Sequence, residues 1–520
     1  MLKKDVIVIG AGLAGMVAAL EARMKGADVV LISKGPLGIR SNSALSGARF
    51  AGSTPNYSQE EHVRDTLKAG KGINCEWMVR LMAREAPEAF SFLSSLGLDL
   101  AEFFMGYAVK PVVPDSIPGA SLVRALSAKI RGRTGIDVQI GIHATEILKN
   151  DDGVYGMSGF DNEGKEILMI APAIILAAGG AGAIYLRNDN QRSIMGQGYY
   201  LAAKAGLNLW DMEFVQFYPL VIAEAGLPSM PFFLPCHEET RLISAEGEDI
   251  LSAFSTNDLN QATMKERDEL SAFLFRESLR RPIYMDCRKV PLSFWEKNPW
   301  RRIKFDLTRK PLAISPAAHF FSGGVRIDER AQSSLPGLFA CGEVVWGLHG
   351  ANRMGGNAMT ECIVFGRIAG RHAARYALAH PVSPWIPGNV KQGPRLGLSK
   401  GREDLKDLRK QLGEIAWRYA GVIRSQEGLK KGLTKTVEFE REMKGMNPRT
   451  VSEKKMKEEL VSAAFVLKAV IKASSGRTER RGSFIREDFV RQDDLHWRKN
   501  SCLAYDVETG HFTVTYPRAL

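Results

Sequence analysis

The sequence has few cysteines for its length, and none of them has the spacing of a metal site. Six occur in 520 residues, namely Cys75, Cys236, Cys287, Cys341, Cys362 and Cys502. No two of them form a Cys-x-x-Cys pair, so we expect neither a disulfide framework nor a metal site in this chain. Scattered thiols in a chain of this size are typical of a reducing cytosol.

Long hydrophobic runs are also absent. No stretch approaches the roughly 18 consecutive apolar residues that a transmembrane helix needs. The apolar stretch Val6–Gly15 is interrupted by glycines and continues into a helical pattern, unlike a signal peptide. We therefore expect no transmembrane segment. The expected location is the cytoplasm, or the inner face of the cell membrane if partner proteins hold the chain there.

The chain lacks dense runs of one charge, although its formal net charge is +12. Lysines and arginines are spread out, so we do not expect nucleic-acid binding. A basic surface of this kind is most often simply solvated; the alternatives are a funnel for anionic substrates or a contact for an acidic partner. With 45% apolar and 25% charged residues, the composition is that of a folded protein. Its length suggests about three domains, or one large domain with insertions.

A glycine turn near the start of the chain lies between two predicted strands. Residues 5–9 form a short β-branched run, as buried parallel strands do, and Gly10-Ala-Gly12-Leu13-Ala14-Gly15 follows at once. Residues 16–25 have a helical pattern, and residues 29–32 form a second apolar run. This order is the context that the dinucleotide-binding fingerprint requires.

Each glycine of this turn has its own expected role. Gly10 allows a sharp turn, Gly12 allows the backbone to approach a pyrophosphate, and Gly15 allows the helix to pack on the strand. The helix N-terminus supplies free N–H groups for the phosphates. Ser33-Lys34 stands where an acidic residue usually follows the second strand. Ser33 can still hydrogen-bond a ribose or phosphate, but the missing acid weakens the case for NAD.

Two later glycine-containing segments extend the predicted site. Ala178-Gly179-Gly180 follows the apolar run of residues 174–176 and is expected to approach the adenine side of the same dinucleotide. Glu343 follows another turn and strand, and can accept hydrogen bonds from ribityl hydroxyls. The helix that starts near Asn357 can direct its dipole at a flavin pyrimidine. These features favour FAD as the cofactor.

Six segments, in order along nearly the whole chain, resemble the flavoprotein subunit of the succinate dehydrogenase/fumarate reductase family, which also includes L-aspartate oxidase. They are Gly10–Gly15 with Leu31–Lys34, Arg40–Ala44, Met212–Pro219, Ala317–Gly324, His349–Asn357, and Arg477–Gly482 with Arg486–Asp488.

The resemblance implies an α/β fold with a Rossmann-type FAD-binding domain of residues 1–220 and 319–385. An α+β capping domain of residues 221–318 is inserted in it. A Pro/Gly-rich linker of residues 386–402 leads to a mainly helical C-terminal domain of residues 403–520. The helical periodicity of residues 403–475 agrees with that assignment.

The expected FAD-binding residues follow from the glycine segments and the resemblance. They are Gly10, Gly12, Leu13, Ala14, Gly15, Ser33, Lys34, Ser41, Asn42, Ser43, Ser46, Gly47, Ala178, Gly179, Gly180, Glu343, Arg353, Asn357, Ala358 and Met359. Asn42 stands where the membrane-bound relatives have the histidine that bonds to the flavin. Asparagine cannot form that bond, so we expect FAD to be held non-covalently.

The resemblance also suggests four catalytic residues. Arg267 corresponds to the catalytic arginine and Glu238 to a glutamate of the proton path, with Glu239 as a close alternative. His319 corresponds to the substrate-binding histidine, and Arg353 to the arginine that binds a substrate carboxylate, which a guanidinium can do bidentately. A role for His349 is left open between a structural hydrogen bond and a ligand contact.

Two departures from the family pattern concern the substrate. Tyr218 and Leu220 stand where a histidine and a threonine usually hold the second carboxylate of a dicarboxylate. A carboxylate without partners in a closed pocket loses roughly 1–3 kcal/mol per missing hydrogen bond. The sequence therefore puts a C4 dicarboxylate in doubt and favours an anionic or acyl substrate with one carboxylate, a thioester or an apolar tail.

We therefore expect an FAD-dependent oxidoreductase subunit that transfers a hydride to or from a C–C bond beside a carboxylate or acyl group. Because the chain has no cysteine pattern for clusters of its own, an iron–sulfur protein is the expected partner. The alternatives are an L-aspartate oxidase-like enzyme, or an electron-transfer flavoprotein module of a larger complex without its own substrate.

Overall fold

The structure is a computed structural model, and it describes residues 2–111, 116–132, 135–232, 235–296, 307–381 and 404–518. The predicted linker of residues 386–402 lies outside these ranges. The described helices are α1 Leu13–Met24, α2 Asn42–Leu45, α3 Gln59–Ala69, α4 Glu76–Ser95, α5 Pro118–Arg131, α6 Gln197–Lys204, α7 Leu259–Lys265, α8 Arg267–Ser278, α9 Leu292–Glu296, α10 Asn357–Ala379, α11 Asp404–Ala420, α12 Gln426–Gly445, α13 Val451–Gly476 and α14 Asp494–Trp497.

The described strands are β1 Leu2–Lys3, β2 Val6–Ile9, β3 Val29–Ser33, β4 Arg49–Ala51, β5 Leu100–Phe103, β6 Gly106–Val109, β7 Asp137–Ile140, β8 His143–Asn150, β9 Gly153–Phe160, β10 Glu166–Ile170, β11 Ala173–Leu176, β12 Leu209–Trp210, β13 Val215–Ile222, β14 Arg241–Ile243, β15 Ile283–Asp286, β16 Leu312–Phe321, β17 Gly324–Val325, β18 Leu338–Ala340, β19 Ile423–Arg424, β20 Ile485–Arg486, β21 Cys502–Tyr505 and β22 Phe512–Thr515.

A parallel five-stranded sheet forms the centre of the fold, in the order β18-β11-β2-β3-β7. The residues of β2, β11 and β18 are all buried, as a sheet covered on both faces requires. Ile9 pairs with Leu176 and Ile32, and Leu176 pairs with Ala340. The loops that follow β2, β3, β11 and β18 therefore meet at one edge, where open α/β sheets bind ligands.

Helix α10 packs closely on α1 because two glycines face it. A Cβ atom at Gly366 would lie 2.8 Å from the carbonyl oxygen of Ala14, and one at Gly370 would lie 2.3 Å from that of Ala18. Glycines four residues apart share one helix face. This contact fixes the N-terminal end of α10 beside the loops at the sheet edge.

The segment between β13 and β16 forms a second unit with its own apolar core. Its antiparallel sheet has the order β13-β16-β15-β14, and helices α7 and α8 accompany it. Leu242, Leu270, Met285 and Leu312 are among the fully buried residues of this core. β13 and β16 join it to the central domain, so the face between the two units is lined by both strands.

The C-terminal part is mainly helical and is fixed to the rest by buried charges. Helices α11, α12 and α13 pack together, and the middle of α13 is buried on all sides. Arg477 donates to Glu213, which lies near β13, and to Glu479. The α/β fold with an FAD-binding domain, an inserted cap and a helical C-terminal domain is confirmed, whereas its predicted boundaries stay a prediction. Within the described residues, no helix is both long and apolar enough to cross a membrane.

Candidate active site

A groove runs along the carboxyl edge of the central sheet. It holds about 1090 Å³ of space, part of it open to solvent. The predicted cofactor-binding residues that line it are Gly10, Gly12, Leu13, Ala14, Ser33, Lys34, Ser41, Asn42, Ser43, Ala178, Gly179 and Glu343. The groove is long enough to run from the end of β3 to Glu343, as an extended dinucleotide requires.

The three glycines of the first turn lack a Cβ atom for different structural reasons. A Cβ atom at Gly10 would lie 2.3 Å from the carbonyl oxygen of Ala177, and one at Gly15 would lie 1.9 Å from that of Gly10. Gly15 therefore serves packing and does not line the groove. At Gly12 the nearest protein atom would be 3.6 Å away. Space at Gly12 and the N-terminus of α1 together suit the close approach of a pyrophosphate.

The residues at the end of β3 form the far end of the groove. Lys34 donates to the carbonyl oxygen of Ser193 at 3.1 Å and to Glu459 at 3.5 Å. Burial lowers the pKa of the Lys34 ammonium, while Glu459 acts in the opposite direction. Ser33 accepts a hydrogen bond from the N–H of Gly35. Neither residue is an acid that would bind a ribose in the way typical of NAD sites.

Glu343 reaches into the other end of the groove. Its Oε1 accepts a hydrogen bond of 3.1 Å from the backbone N–H of Phe321. Burial raises the pKa of Glu343 to about 7, and the Phe321 N–H opposes that shift. A Cβ atom at Gly180 would lie 2.1 Å from Glu343 Oε1. Gly180 therefore makes room for the glutamate and does not line the groove.

Asn42 begins helix α2 at the groove wall. Its amide donates to Asn190 at 2.6 Å and accepts from the N–H of Gln191 at 2.9 Å. Ser43 accepts from the N–H of Leu13, and Ser41 donates to the carbonyl of Gly38. These bonds hold the segment against the N-terminus of α1.

Several predicted flavin contacts lie outside the groove. Ser46 donates to the carbonyl oxygen of Ser43, and neither it nor Gly47 lines the groove. Asn357 is fully buried and bonds to His62 and Thr66. Ala358 and Met359 are half-buried in the first turn of α10 and are likewise not among the lining residues.

Arg267 and Arg353 lie together between the cap and the central domain. Arg267 begins α8 and donates to Asn352 Oδ1 and to the carbonyl of Arg353. Arg353 donates to Gln216 Oε1 at 3.0 Å, and the amide of Gln216 donates to Asn352 at 2.7 Å. Sequence positions up to 137 residues apart thus meet in one cluster.

The arginine cluster has unused donors. Among the described residues, the buried Nε atoms of Arg267 and Arg353 make no hydrogen bond. Burial, followed by repulsion from Arg267, lowers the pKa of Arg353 to about 10. A buried and a partly buried guanidinium, each with a free Nε–H group, favour an anion between them, since a carboxylate supplies both charge and acceptors.

Asp268 is the carboxylate next to this cluster. It accepts a hydrogen bond of 2.6 Å from the amide of Asn352, and its Oδ1 lies 3.8 Å from Arg267 Nε. Burial raises the pKa of Asp268, and Arg267 acts in the opposite direction. A carboxyl group shifted towards neutrality and adjacent to an arginine suits proton exchange.

His319 lies on β16 and is oriented by Asp189. The two side chains are 2.7 Å apart, and the Asp189 carboxylate is almost fully buried. The ring of Tyr218 lies 5.5 Å from that of His319. The Tyr218 hydroxyl donates to the carbonyl of Phe232 at 3.0 Å, and Leu220 is fully buried. The hydroxyl proton of Tyr218 is thus already donated in a hydrogen bond within the cap.

Glu238 is not brought to this cluster. It is exposed in a turn of the cap, where its backbone carbonyl accepts from Arg241. His349 is buried and pairs with Glu361 at 3.0 Å, which favours the structural interpretation of this residue. Four further residues of the site were not predicted from the sequence: Asp189, Gln216, Asn352 and Asp268. Gln216 and Asn352 lie in segments that resemble the family, and Asp268 directly follows Arg267, whereas Asp189 gave no sequence signal.

The fold and the groove define a Rossmann-type flavoprotein, and comparison with known proteins specifies the family. Residues 5–359 match the family described as FAD binding domain, and residues 409–519 match the family described as fumarate reductase flavoprotein C-term. The chain therefore belongs to the succinate dehydrogenase/fumarate reductase flavoprotein family, its cofactor is FAD, and it is an FAD-dependent oxidoreductase. The predicted resemblance is confirmed.

Relatives of known sequence match over most of the chain. An uncharacterised FAD-dependent oxidoreductase of Methanocaldococcus jannaschii is 30% identical over 96% of this chain and 96% of its own length. One of the subunits of the fumarate reductase (CoM/CoB) of Methanothermobacter marburgensis is 29% identical over 97% of both chains. The L-aspartate oxidase of Streptomyces coelicolor is 28% identical over 95% of this chain and 90% of its own.

A solved quinol-fumarate reductase with menaquinol molecules has the same fold. The two structures superpose with a TM-score of 0.86. The alignment covers 100% of this chain and 98% of the reductase chain, with 23% sequence identity.

Proposed function

We propose that this protein transfers a hydride between flavin N5 and a substrate C–C bond next to a carboxylate or acyl group. The observation that supports this most directly is a pair of arginines between the cap and the central domain, the buried Arg353 and the partly buried Arg267, whose Nε–H donors are unused. FAD, when bound, supplies the hydride donor or acceptor.

The remaining chemistry belongs to the protein's own side chains. Arg353 binds the substrate carboxylate. Its guanidinium carbon lies 4.7 Å from the centre of the Phe320 ring, which holds the guanidinium in place. Arg267 exchanges a proton with the carbon next to the one that exchanges the hydride. Asp268, in contact with Asn352, completes the proton path. His319, held by Asp189, orients the substrate.

Glu238 and Asp268 receive different support as members of the proton path. Glu238 stays a predicted member of the proton path, but its exposed position gives it less support than Asp268. The arginines lie between the cap and the central domain, and exclusion of water there strengthens their electrostatic effect on an anion.

We also propose that an iron–sulfur protein exchanges electrons with the flavin. A relative of similar length is named as one subunit of its fumarate reductase, which supports an assembly of more than one chain. Within the described residues, no group of three or more metal-ligating side chains is placed to hold a metal ion. An adjacent gene for an iron–sulfur protein, and its co-purification with this chain, are the observations that test the partnership.

The test of the reaction uses Arg267→Ala in the FAD-loaded protein. Dithionite-reduced enzyme is mixed anaerobically with fumarate, crotonate or a crotonyl thioester, and flavin reoxidation is followed. We expect at least one of these acceptors to reoxidise the wild type. The variant should be slower by about 100- to 10,000-fold, the range for losing general acid catalysis, with unchanged FAD content.

The matched control is Arg276→Gln, an exposed arginine on the same helix. It should leave the rate unchanged. If Arg267→Ala reoxidises at the wild-type rate, the protein is instead an electron-transfer module without its own substrate.

An L-aspartate oxidase-like activity is the second candidate, because a relative with that name matches 95% of this chain. It predicts that L-aspartate bleaches the oxidised flavin anaerobically. Bleaching by L-aspartate but by no other amino acid would favour this candidate over reduction of an unsaturated acid.

A further inference from the structure

We propose that Asn190 and Asp189 form a hydrogen-bonded link that fixes His319 in a set position relative to Asn42 of the cofactor groove. Both are positioning residues, because they act on the substrate through His319 and do not touch it themselves. Since His319 is taken as a substrate contact, the role of this link rests on the proposed function.

The link is continuous from the cofactor groove to β16. Asn42, which lines the groove, donates from its amide to Oδ1 of Asn190 at 2.6 Å. Nδ2 of Asn190 in turn donates to Oδ1 of Asp189 at 3.2 Å. The other carboxylate oxygen of Asp189 lies 2.7 Å from Nδ1 of His319. The flavin-binding segment and the substrate histidine are therefore joined side chain to side chain.

The amide of Asn190 is fixed from two further sides. Its Nδ2 also donates to the carbonyl oxygen of Ala318 at 3.0 Å, and Ala318 directly precedes His319. A Cβ atom at Gly182 would lie 2.2 Å from the same Nδ2. Gly182 thus leaves the space that the amide fills. The backbone N–H of Asp189 donates to the Ala318 carbonyl as well, so the segment is fixed to β16 next to the histidine.

Asp189 determines which nitrogen His319 presents to a substrate. Its carboxylate is 3% exposed, whereas the His319 side chain is 21% exposed. A buried carboxylate is costly unless hydrogen-bond donors satisfy it, and an ionised carboxylate only accepts. Nδ1 of His319 is therefore the donor to Asp189, and Nε2 is the ring nitrogen left for a substrate atom.

The two ends of the Asn190 amide serve different ligands. Oδ1 accepts from Asn42 and so supports the FAD side, whereas Nδ2 donates to Asp189 and Ala318 and so supports the substrate side. Asn190→Asp separates the two, because aspartate keeps an acceptor for Asn42 but has no donor. It also places a second carboxylate beside Asp189, which weakens the substrate side further.

The experiment measures the affinities for an acid and for FAD separately. Oxidised FAD-loaded protein is titrated with fumarate and with crotonate, and the flavin absorbance reports binding; FAD fluorescence gives the FAD affinity of the FAD-free protein. In Asn190→Ala the loss of these hydrogen bonds should raise both the acid Kd and the FAD Kd by about three- to tenfold. Asn190→Asp should raise the acid Kd by at least as much, but change the FAD Kd by less than about twofold.

The matched control is Asn257→Ala, an exposed asparagine of the cap, which should change neither Kd. Far-UV circular dichroism and the FAD content verify that each variant is folded.

A double-mutant cycle tests whether the link acts through His319. Asp189→Ala should raise the acid Kd about as much as Asn190→Ala does. In a His319→Ala background, either substitution should change the acid Kd by less than about twofold, because the residue that they position is missing. A general loss of stability would not produce this dependence on His319.

Several results would overturn the link. These are fully additive effects of Asn190→Ala and His319→Ala, a wild-type acid Kd in Asn190→Asp, a His319→Ala variant that binds acids as the wild type does, and a wild type whose flavin responds to neither acid. Wild-type turnover in Arg267→Ala would instead reject the proposed reaction while leaving the binding cycle intact.

Discussion

At the scale of single residues, Glu343 is the groove residue whose charge changes near neutral pH. Burial raises the pKa of Glu343 to about 7, well above the ordinary glutamate value of about 4.3. Its neutral form is therefore favoured in the FAD-free protein, and folding stability is lost as the pH rises from about 4.3 to about 7. An FAD hydroxyl that donates to the ionised carboxylate acts in the opposite direction.

We therefore predict that FAD binds more tightly as the pH rises from about 6 to about 8. Glu343→Gln should bind FAD more weakly and with no change over that range, because glutamine does not titrate. FAD fluorescence titrations at several pH values measure both effects. An equally steep pH dependence in Glu343→Gln would show that another group is responsible.

Asn42 gives a second prediction at the residue scale. Its amide donates to Asn190 and accepts from the N–H of Gln191, and asparagine offers no nucleophile for a bond to flavin. Precipitation with acid should therefore release all of the flavin into the supernatant. Yellow colour that stays in the washed pellet would contradict non-covalent binding.

At the scale of the element, different glycines of the turn between β2 and α1 serve packing and ligand binding. A Cβ atom at Gly15 would overlap the backbone of Gly10, whereas one at Gly12 would make ordinary contacts at 3.6 Å and 3.8 Å. The same fingerprint thus contains Gly15, which the packing of the fold requires, and Gly12, which leaves space for the ligand.

We predict that Gly12→Ala keeps its stability to within about 0.5 kcal/mol but binds FAD at least tenfold more weakly. Gly15→Ala should be destabilised by about 1–3 kcal/mol or more, because the added methyl group overpacks the interface between helix and strand. Denaturant unfolding of the FAD-free variants and FAD titrations measure the two effects. The control is Gly445→Ala, because a Cβ atom there would meet no neighbouring part of the protein within 4 Å. Equal loss of stability in Gly12→Ala and Gly15→Ala would contradict the distinction between a ligand-binding and a packing glycine.

The sequence predicted those parts of the site that lie within one continuous segment. Gly10, Gly12, Ser33, Lys34 and Glu343 line the groove, because short-range geometry at a strand end determines where they lie. The contacts of His319 with Asp189 and of Asn352 with Asp268 join residues 130 and 84 positions apart. Only the assembled tertiary structure brings these residues together, so no local pattern indicated them.

At the scale of the whole molecule, buried charges link the C-terminal part to the central domain and the cap strand. Arg477 donates to Glu213 at 2.8 Å and to Glu479 at 2.9 Å, and all three side chains are 0% exposed. Arg481 bonds to the same Glu479. The fold class was predictable from the order of the segments, but these links depend on the assembled tertiary structure.

We predict that Arg477→Met lowers the free energy of unfolding by about 3–5 kcal/mol, because it leaves the buried carboxylate of Glu213 without its ion-pair partner and Glu479 with Arg481 alone. Arg480→Met, which removes a more exposed pair with Glu269, should cost less than about 1 kcal/mol. Denaturant unfolding at neutral pH, followed by both tryptophan fluorescence and FAD release, measures the difference. Equal losses in the two variants would contradict a structural role for the buried pair.

The parallel sheet is completed late in biosynthesis. β2 ends at Ile9, but β18, which pairs with β11 at one edge of the same sheet, begins only at Leu338. At typical rates of about 5–20 residues per second, the ribosome needs roughly 16 to 66 s to make the chain between them. Until β18 emerges, the sheet that carries the glycine turn lacks its last strand. Capture of FAD at the complete sheet edge therefore follows synthesis of about two-thirds of the chain.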